Sequence, residues 1–191
     1  MKKKVFYITI NDDDITGMDA ISLVDVPAVE YDFLCFDKEE KPVELKFDAA
    51  KHIITGVICL ADTPIYRYSP MYGEYWVVFT KDTIEHMVEK YSRQGLWNSI
   101  NLQHDDNQFV DGIYMLESYI TDKERGISPV EFANVPNGSW IASFKVENEQ
   151  LWDEIINGNS LNGFSLQGMF NLEEQFSKQE TYDEWLKKYL D

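Results

Sequence analysis

Hydrophobic and polar positions along this chain fall mostly into short runs with strand spacing. Val5 to Ile10 is β-branched and aromatic, stops at Asn11-Asp12-Asp13-Asp14, and predicts a first strand. Ala20 to Ala28 is extended, and Pro27 makes it an edge or a strand end. Tyr31 to Phe36 and Val43 to Phe47 are shorter apolar pieces, separated by a charged turn from Asp37 to Pro42. His52 to Leu60 predicts a central strand, with Gly56 as a bulge or close-packing point. Asp62 to Gly73 reads as a loop rich in Pro and Tyr, and Tyr75 to Phe79 as a short aromatic strand. Ser99 to Gln103, Val110 to Ile120 and Trp140 to Val146 are further strands, the last fed by an Asn137-Gly138 turn.

Helical periodicity is confined to isolated stretches. Asp82 is placed as an N-cap with Glu85 three residues later; Ile84, Met87, Val88 and Tyr91 form one face, and Gly95 ends the helix. Asn148 caps a second helix with Leu151, Trp152, Ile155 and Ile156 inward and Gly158 as its stop. The polar tail from Leu172 to Leu190 is expected to be helical, with Thr181 and Glu184 as a capping box before Trp185, Leu186 and Tyr189. Helices that do not alternate with strands argue against a doubly wound sheet. The predicted class is mainly β with flanking helices (α+β), as an antiparallel barrel or half-barrel. The expected division is an N-terminal strand segment (1–50), a barrel core (51–171) and a helical tail (172–191).

Composition narrows the function classes. The 191 residues suit one domain, and 44% hydrophobic with 14% aromatic content supplies a substantial core. Seventeen basic against 34 acidic residues give a net charge of −17. Such a chain is repelled by nucleic acid and by anionic membranes, and no basic patch beyond Lys2-Lys3-Lys4 offsets this. Cys35 and Cys59 are too few for a disulfide framework or a zinc site, which suggests a reducing compartment. The apolar run after the N-terminal lysines is too short for a signal core, and no stretch reaches the ~20 apolar residues of a membrane span. A soluble intracellular protein is expected.

Candidate chemistry centres on Asn162-Gly163-Phe164-Ser165-Leu166-Gln167-Gly168-Met169-Phe170. Alternation puts Phe164, Leu166 and Phe170 on one strand face and Gly163, Ser165 and Gln167 on the other. Glycine in a strand often marks close approach of a backbone or ligand, so Ser165 is a candidate nucleophile. The plain alternative is a serine that only hydrogen-bonds locally. A serine nucleophile needs a base. Of three histidines, His52 opens a strand, His86 lies off the apolar stripe of its helix, and His104 ends a strand on the face of Ile100 and Leu102. His104 is either the base or a satisfied core histidine. Glu117, on a face with Ile113, Met115 and Tyr119, is the candidate to orient it; alternatively that face turns to water. Asp105, Asp106, Glu173 and Glu174 are the fallbacks.

Two other chemistries are disfavoured. His104-Asp105-Asp106 point alternately in an extended segment and cannot all face one metal ion, so the acidic pair is expected to cap a turn. No cofactor motif is present. Gly163 to Gly168 is also not a nucleophile elbow: its second glycine falls one residue late, the run continues as a strand, and the histidine precedes the serine.

The order His104, Glu117, Ser165 is joined by several short motifs. These are Ile21 to Ala28, Gly56-Val57-Ile58 leading to Pro64 to Arg67, Val78 to Ile84, Asn101 to Asp105, Glu117 to Ile120, Gly138-Ser139-Trp140 and Gly163 to Gly168. Together they resemble the prohead (capsid maturation) serine proteases of tailed bacteriophages, in the XkdF-like branch. The resemblance implies a β-barrel related to the herpesvirus capsid protease, with His104 as general base and Ser165 as nucleophile. The third member varies among relatives of that fold, and Glu117 is the candidate here. Backbone N–H groups or an arginine such as Arg67 are the kinds of oxyanion donor to expect. It further implies action in the host bacterial cytoplasm, inside the assembling procapsid, on scaffold, major capsid protein or the protease itself. A homo-oligomer is left open. The alternative is a catalytically inactive protease-like module for head assembly or scaffold binding; a small-ester hydrolase is more remote.

Overall fold

Strand periodicity carries through to the architecture. The computed structural model describes residues 4–12, 15–25, 45–157 and 161–174. The chain runs β1 (Lys4–Thr9), β2 (Gly17–Val24), β3 (Lys46–Asp48), β4 (Ile53–Cys59), β5 (Pro64–Ser69), β6 (Gly73–Val78), α1 (Lys81–Gln94), β7 (Ile100–Leu102) and β8 (Ile113–Ile120). A short 3-10 helix (Val130–Phe132), β9 (Trp140–Val146), α2 (Glu149–Asn157), β10 (Gly163–Met169) and β11 (Asn171–Glu174) follow. The class is mainly β with two α-helices, as the hydrophobic pattern predicts.

The sheets are not closed into a barrel, which corrects the expected antiparallel barrel. Among the described residues there are three open sheets, ordered β11-β1-β6-β5, β10-β2-β7 and β3-β4-β9-β8. Two pairings, β1 with β6 and β2 with β7, are parallel. The physical reason lies where the second and third sheets meet. The Phe164 ring of β10 packs on Phe144 of β9, with centroids 4.7 Å apart. A Cβ added at Gly56 of β4 would stand 2.5 Å from Leu45 Cδ2 and 2.9 Å from Phe164 Cδ2. The two sheets therefore stack through side chains instead of continuing a hydrogen-bonded ladder.

β1 and β2 are inner strands, each hydrogen-bonded on both sides to segments from much later in the chain. This explains the burial of every β2 residue except Asp19. The main core gathers side chains from all three sheets and both helices, with Trp140, Phe144 and Phe164 buried at its centre. α1 buries Ile84, Met87 and Tyr91, and Tyr91 packs edge-on against Trp140 at 5.6 Å.

Helix α1 ends at Gly95 (φ 70°) as predicted, but its N-cap is Thr80 instead of Asp82: Thr80 Oγ1 accepts from Thr83 N at 3.1 Å. Asp82 lies in the first turn, where a negative charge still favours the helix dipole. α2 is capped by Asn148, whose Oδ1 accepts from Leu151 N at 3.0 Å. The expected loop from Asp62 to Gly73 is in fact largely strand: β5 and β6 form a hairpin. Pro64 opens an edge strand, where its missing N–H costs no ladder bond. At the C-terminal end Asn171–Glu174 pairs with β1 instead of starting a helix. The remainder of the expected tail helix, with its Thr181–Glu184 box, lies outside the described residues. So do the Tyr31–Phe36 strand, the Asp37–Pro42 turn, Pro27, Cys35 and Gly158.

Candidate active site

Strand register builds the site. β10 pairs with β2 so that Ser165 stands opposite Ser22, and β2 pairs with β7 so that Ser22 stands beside Asn101. Three polar residues therefore form one row across the second sheet, while Phe164 and Leu23 alternate onto the core face. Ser22 and Asn101 are 0% exposed and Ser165 is 5% exposed. The fully buried Ser22 and Asn101 require partners. Ser22 Oγ donates to Asn101 Oδ1 at 2.6 Å, with Gln167 Oε1 as a second acceptor at 3.3 Å. Asn101 Nδ2 donates to Gln167 Oε1 at 2.6 Å, and Gln167 Nε2 donates to Asp106 Oδ1.

His104 joins this row by a backbone device. β7 ends at Leu102, and Gln103 and His104 both adopt left-handed φ, 52° and 59°. Gln103 N donates to Leu23 O and Asp105 N to Leu102 O, both at 2.9 Å, which hold the turn. Each non-glycine residue in this region costs on the order of 1–2 kcal/mol, and such outliers concentrate where function needs them. The turn breaks the alternation that would place His104 with Ile100 and Leu102. His104 swings instead to the Asn101 face, where its Nδ1 lies 3.0 Å from Ser22 Oγ. Asp105 caps the turn as expected, accepting from Asn107 N at 2.9 Å and Gln108 Nε2 at 2.7 Å. Asp106 does not; it turns to Gln167.

Ser165 lines a cavity of about 220 Å³. Its walls are mainly apolar, including Ile8, Ile58, Phe79 and Phe170, and its one charged lining residue among those described is Arg67. Among the described residues Ser165 Oγ has no hydrogen-bond partner, so its hydroxyl is available to a ligand. Arg67 Nη1 donates to Tyr66 O at 2.8 Å. Its guanidinium forms no ion pair among the described residues, and burial pulls its pKa below the usual arginine range. Partial desolvation also holds the pKa of His104, an exposed residue, below the ordinary histidine value; Gln167 acts against this and nearby Arg67 in the same direction. His104 is thus biased toward the neutral form a base requires. Cys59 also lines the cavity, but complete burial pushes its thiol pKa far up and keeps it un-ionised.

Residues 40–174 match the family described as "Putative phage serine protease XkdF". The chain belongs to this family. A search of curated proteins and a search of solved structures each find no match. The matched XkdF segment contains Arg67, His104, Asp106 and Ser165; Ser22, on β2, precedes it.

The structure does not bring Glu117 to His104. A register shift between Met115 and Glu117 breaks the alternation of β8, and Glu117 leaves the face it was expected to share with Ile113 and Met115. It is exposed and accepts from Ser143 Oγ at 2.8 Å, with Thr55 Oγ1 a further 2.9 Å from Ser143. Ser143 alternates with Ala142 and Phe144, so this row lies on the face of the third sheet turned away from Phe164 and Ser165. Of the fallbacks, Glu173 accepts from Thr9 Oγ1 and Glu174 pairs with Lys4, both on the first sheet. The other histidines are engaged elsewhere. His52 stacks on Trp152 at 4.5 Å, and His86 bonds Asp12 at 3.0 Å on the surface.

Sequence reasoning missed Ser22, Asn101 and Gln167 as site residues. The available signal was compositional: β2 is apolar around Ser22, and β7 carries an asparagine between Ile100 and Leu102. A polar residue inside a wholly buried run must find a polar partner.

Proposed function

We propose that this XkdF-family chain is a serine endopeptidase of phage procapsid maturation, cleaving scaffold, major capsid protein or itself by acyl transfer. The observation that carries this reading is the pair of opposed serines. Ser22 holds His104 but is fully buried, whereas Ser165, its cross-strand neighbour, opens on the cavity with an unbonded hydroxyl. Directly opposed residues have Cβ atoms about 4.5–5.5 Å apart, so Ser22, which holds His104, is also the near neighbour of Ser165. Hydrogen bonds between nucleophile and base are often long or poorly aligned without substrate and tighten in the complex.

In this mechanism Ser165 Oγ attacks the scissile carbonyl carbon while its proton passes to His104 Nε2. Arg67, the charged group of the same cavity, stabilises the oxyanion that develops. The C–N bond then breaks, and His104 returns the proton to the leaving amine. Water, deprotonated by His104, attacks the Ser165 ester and releases the second product. The acidity of the chain suits an enzyme that acts before DNA packaging and does not compete for DNA. The test is co-expression with a phage capsid or scaffold protein, followed by intact mass of both products. Specific cleavage that disappears in Ser165→Ala supports the reading; processing that persists in that variant overturns it.

A further inference from the structure

We infer that Ser22, Asn101, Gln167 and Asp106 form a one-way hydrogen-bond relay that fixes His104 as the Nδ1-protonated tautomer, in the place where a triad carboxylate would orient it. This rests on the Ser165–His104 reading above and adds the positioning residues of that site.

The direction of the relay follows from the one member that can only accept. Asp106 is a carboxylate, so the Gln167 atom facing it is the Nε2 amide donor. That orientation turns Gln167 Oε1 toward Asn101, which must then present Nδ2 at 2.6 Å. Asn101 Oδ1 is left facing Ser22 Oγ at 2.6 Å, and the single hydroxyl proton of Ser22 must fill that gap. The second acceptor within reach of Ser22, Gln167 Oε1 at 3.3 Å, claims the same proton and does not change the outcome. Ser22 thus has only a lone pair to offer His104 Nδ1 at 3.0 Å, and the ring nitrogen must be the donor. His104 Nε2 then carries the free lone pair that a general base needs.

The reverse direction fails at its far end. A proton running from Ser22 to His104 Nδ1 would require both amides to flip. Gln167 Oε1 would then face the Asp106 carboxylate with no proton between the two oxygens, and the charge-assisted bond that the present orientation makes would be replaced by a repulsion. Burial adds to the constraint, because no water reaches Ser22 or Asn101 to supply a substitute donor.

The experiment reads the tautomer directly. Two-bond ¹H–¹⁵N correlations of the imidazoles near pH 8 are recorded for the full chain, for Asp106→Asn and for Ser22→Ala; His104 is assigned by loss of its signals in His104→Gln. The expected result is an Nδ1–H tautomer in the native chain and a gain of Nε2–H in both variants. Asp106 is exposed, so its substitution does not threaten folding. In turnover, Asp106→Asn is expected to lower kcat by at least about tenfold, within the ~10⁴-fold loss that a wrong tautomer brings in a Ser-His-Asp triad. KM should stay within about twofold of native and Asp106→Glu should recover part of kcat. An Nε2–H tautomer in the native chain overturns the relay, as does a tautomer unchanged in both variants. The spectra require no substrate, so a chain that cleaves nothing would defeat the protease reading while leaving the relay decided on its own data.

Discussion

Ser165 and Ser22 face each other across the β10–β2 ladder, and Ser22, the one with no exposed surface, holds His104. Proximity to the histidine and access to substrate are therefore divided between two serines. Ser165→Ala should abolish cleavage, with a loss approaching the ~10⁶-fold seen when a serine nucleophile is removed. Ser22→Ala should slow cleavage without ending it, because the nucleophile remains. Intact mass and initial rates of the two variants decide between these roles; equal and complete loss in both would return Ser22 to contention.

The pH dependence follows from the depressed His104 pKa. A base must be neutral, so kcat/KM should fall as pH drops, with a midpoint below the ordinary histidine value of about 6.5. Arg67→Met removes one of the influences that lowers it and should raise the midpoint. The same shift affects stability with the same sign, since the unfolded chain takes up the proton first. The contribution of His104 is complete above about pH 6.5 and is lost as pH falls from there through its folded pKa. Rate profiles and urea midpoints between pH 5 and 8 test both statements.

Arg67 is predicted to act on the transition state more than on binding. Arg67→Met should reduce kcat by roughly 10²–10³-fold, the usual cost of losing one oxyanion donor, with a much smaller change in KM. Arg67→Lys should restore part of it, since charge survives and fork geometry does not. A large rise in KM with kcat intact would instead make Arg67 a substrate-side-chain contact.

Glu117→Gln should leave kcat within about twofold of native, the range expected of surface substitutions away from a site. Its bond to Ser143 lies on the far face of the third sheet. A loss of kcat comparable to that of Asp106→Asn would show that the two sheets communicate.

Gly56→Ala is a test of how the nucleophile strand is held. Its Cβ would meet Leu45 and the Phe164 ring well inside contact distance. Overpacking of this kind costs about 1–3 kcal/mol, read as a lower urea midpoint. Because Phe164 precedes the nucleophile, activity should fall more than the fraction unfolded explains.

The readable parts of this fold were those where one local rule acts alone. β9 appears in the alternation of its own residues, β4, β8 and β10 do so up to their register shifts, and α1 appears in its stripe and its Gly95 stop. Where a second influence intervenes, alternation misleads. The register shift after Met115 turned Glu117 to another face, and two left-handed residues carried His104 off the face its spacing implied. Ser165 stood out as a candidate because glycines flank it in a strand, where they often mark close approach of a backbone or ligand. Ser22 did not, because its meaning depends on pairing with strands 79 and 143 positions away, from Asn101 and Ser165.

That pairing also sets a schedule. β2, from the start of the chain, lies between β7 from its middle and β10 from near its end. During synthesis Ser22 and His104 emerge long before their neighbour Ser165, and the sheet that unites them closes only when β10 has left the ribosome. On the proposed mechanism a nascent chain shorter than this carries the base without its nucleophile and is inert toward anything translated beside it.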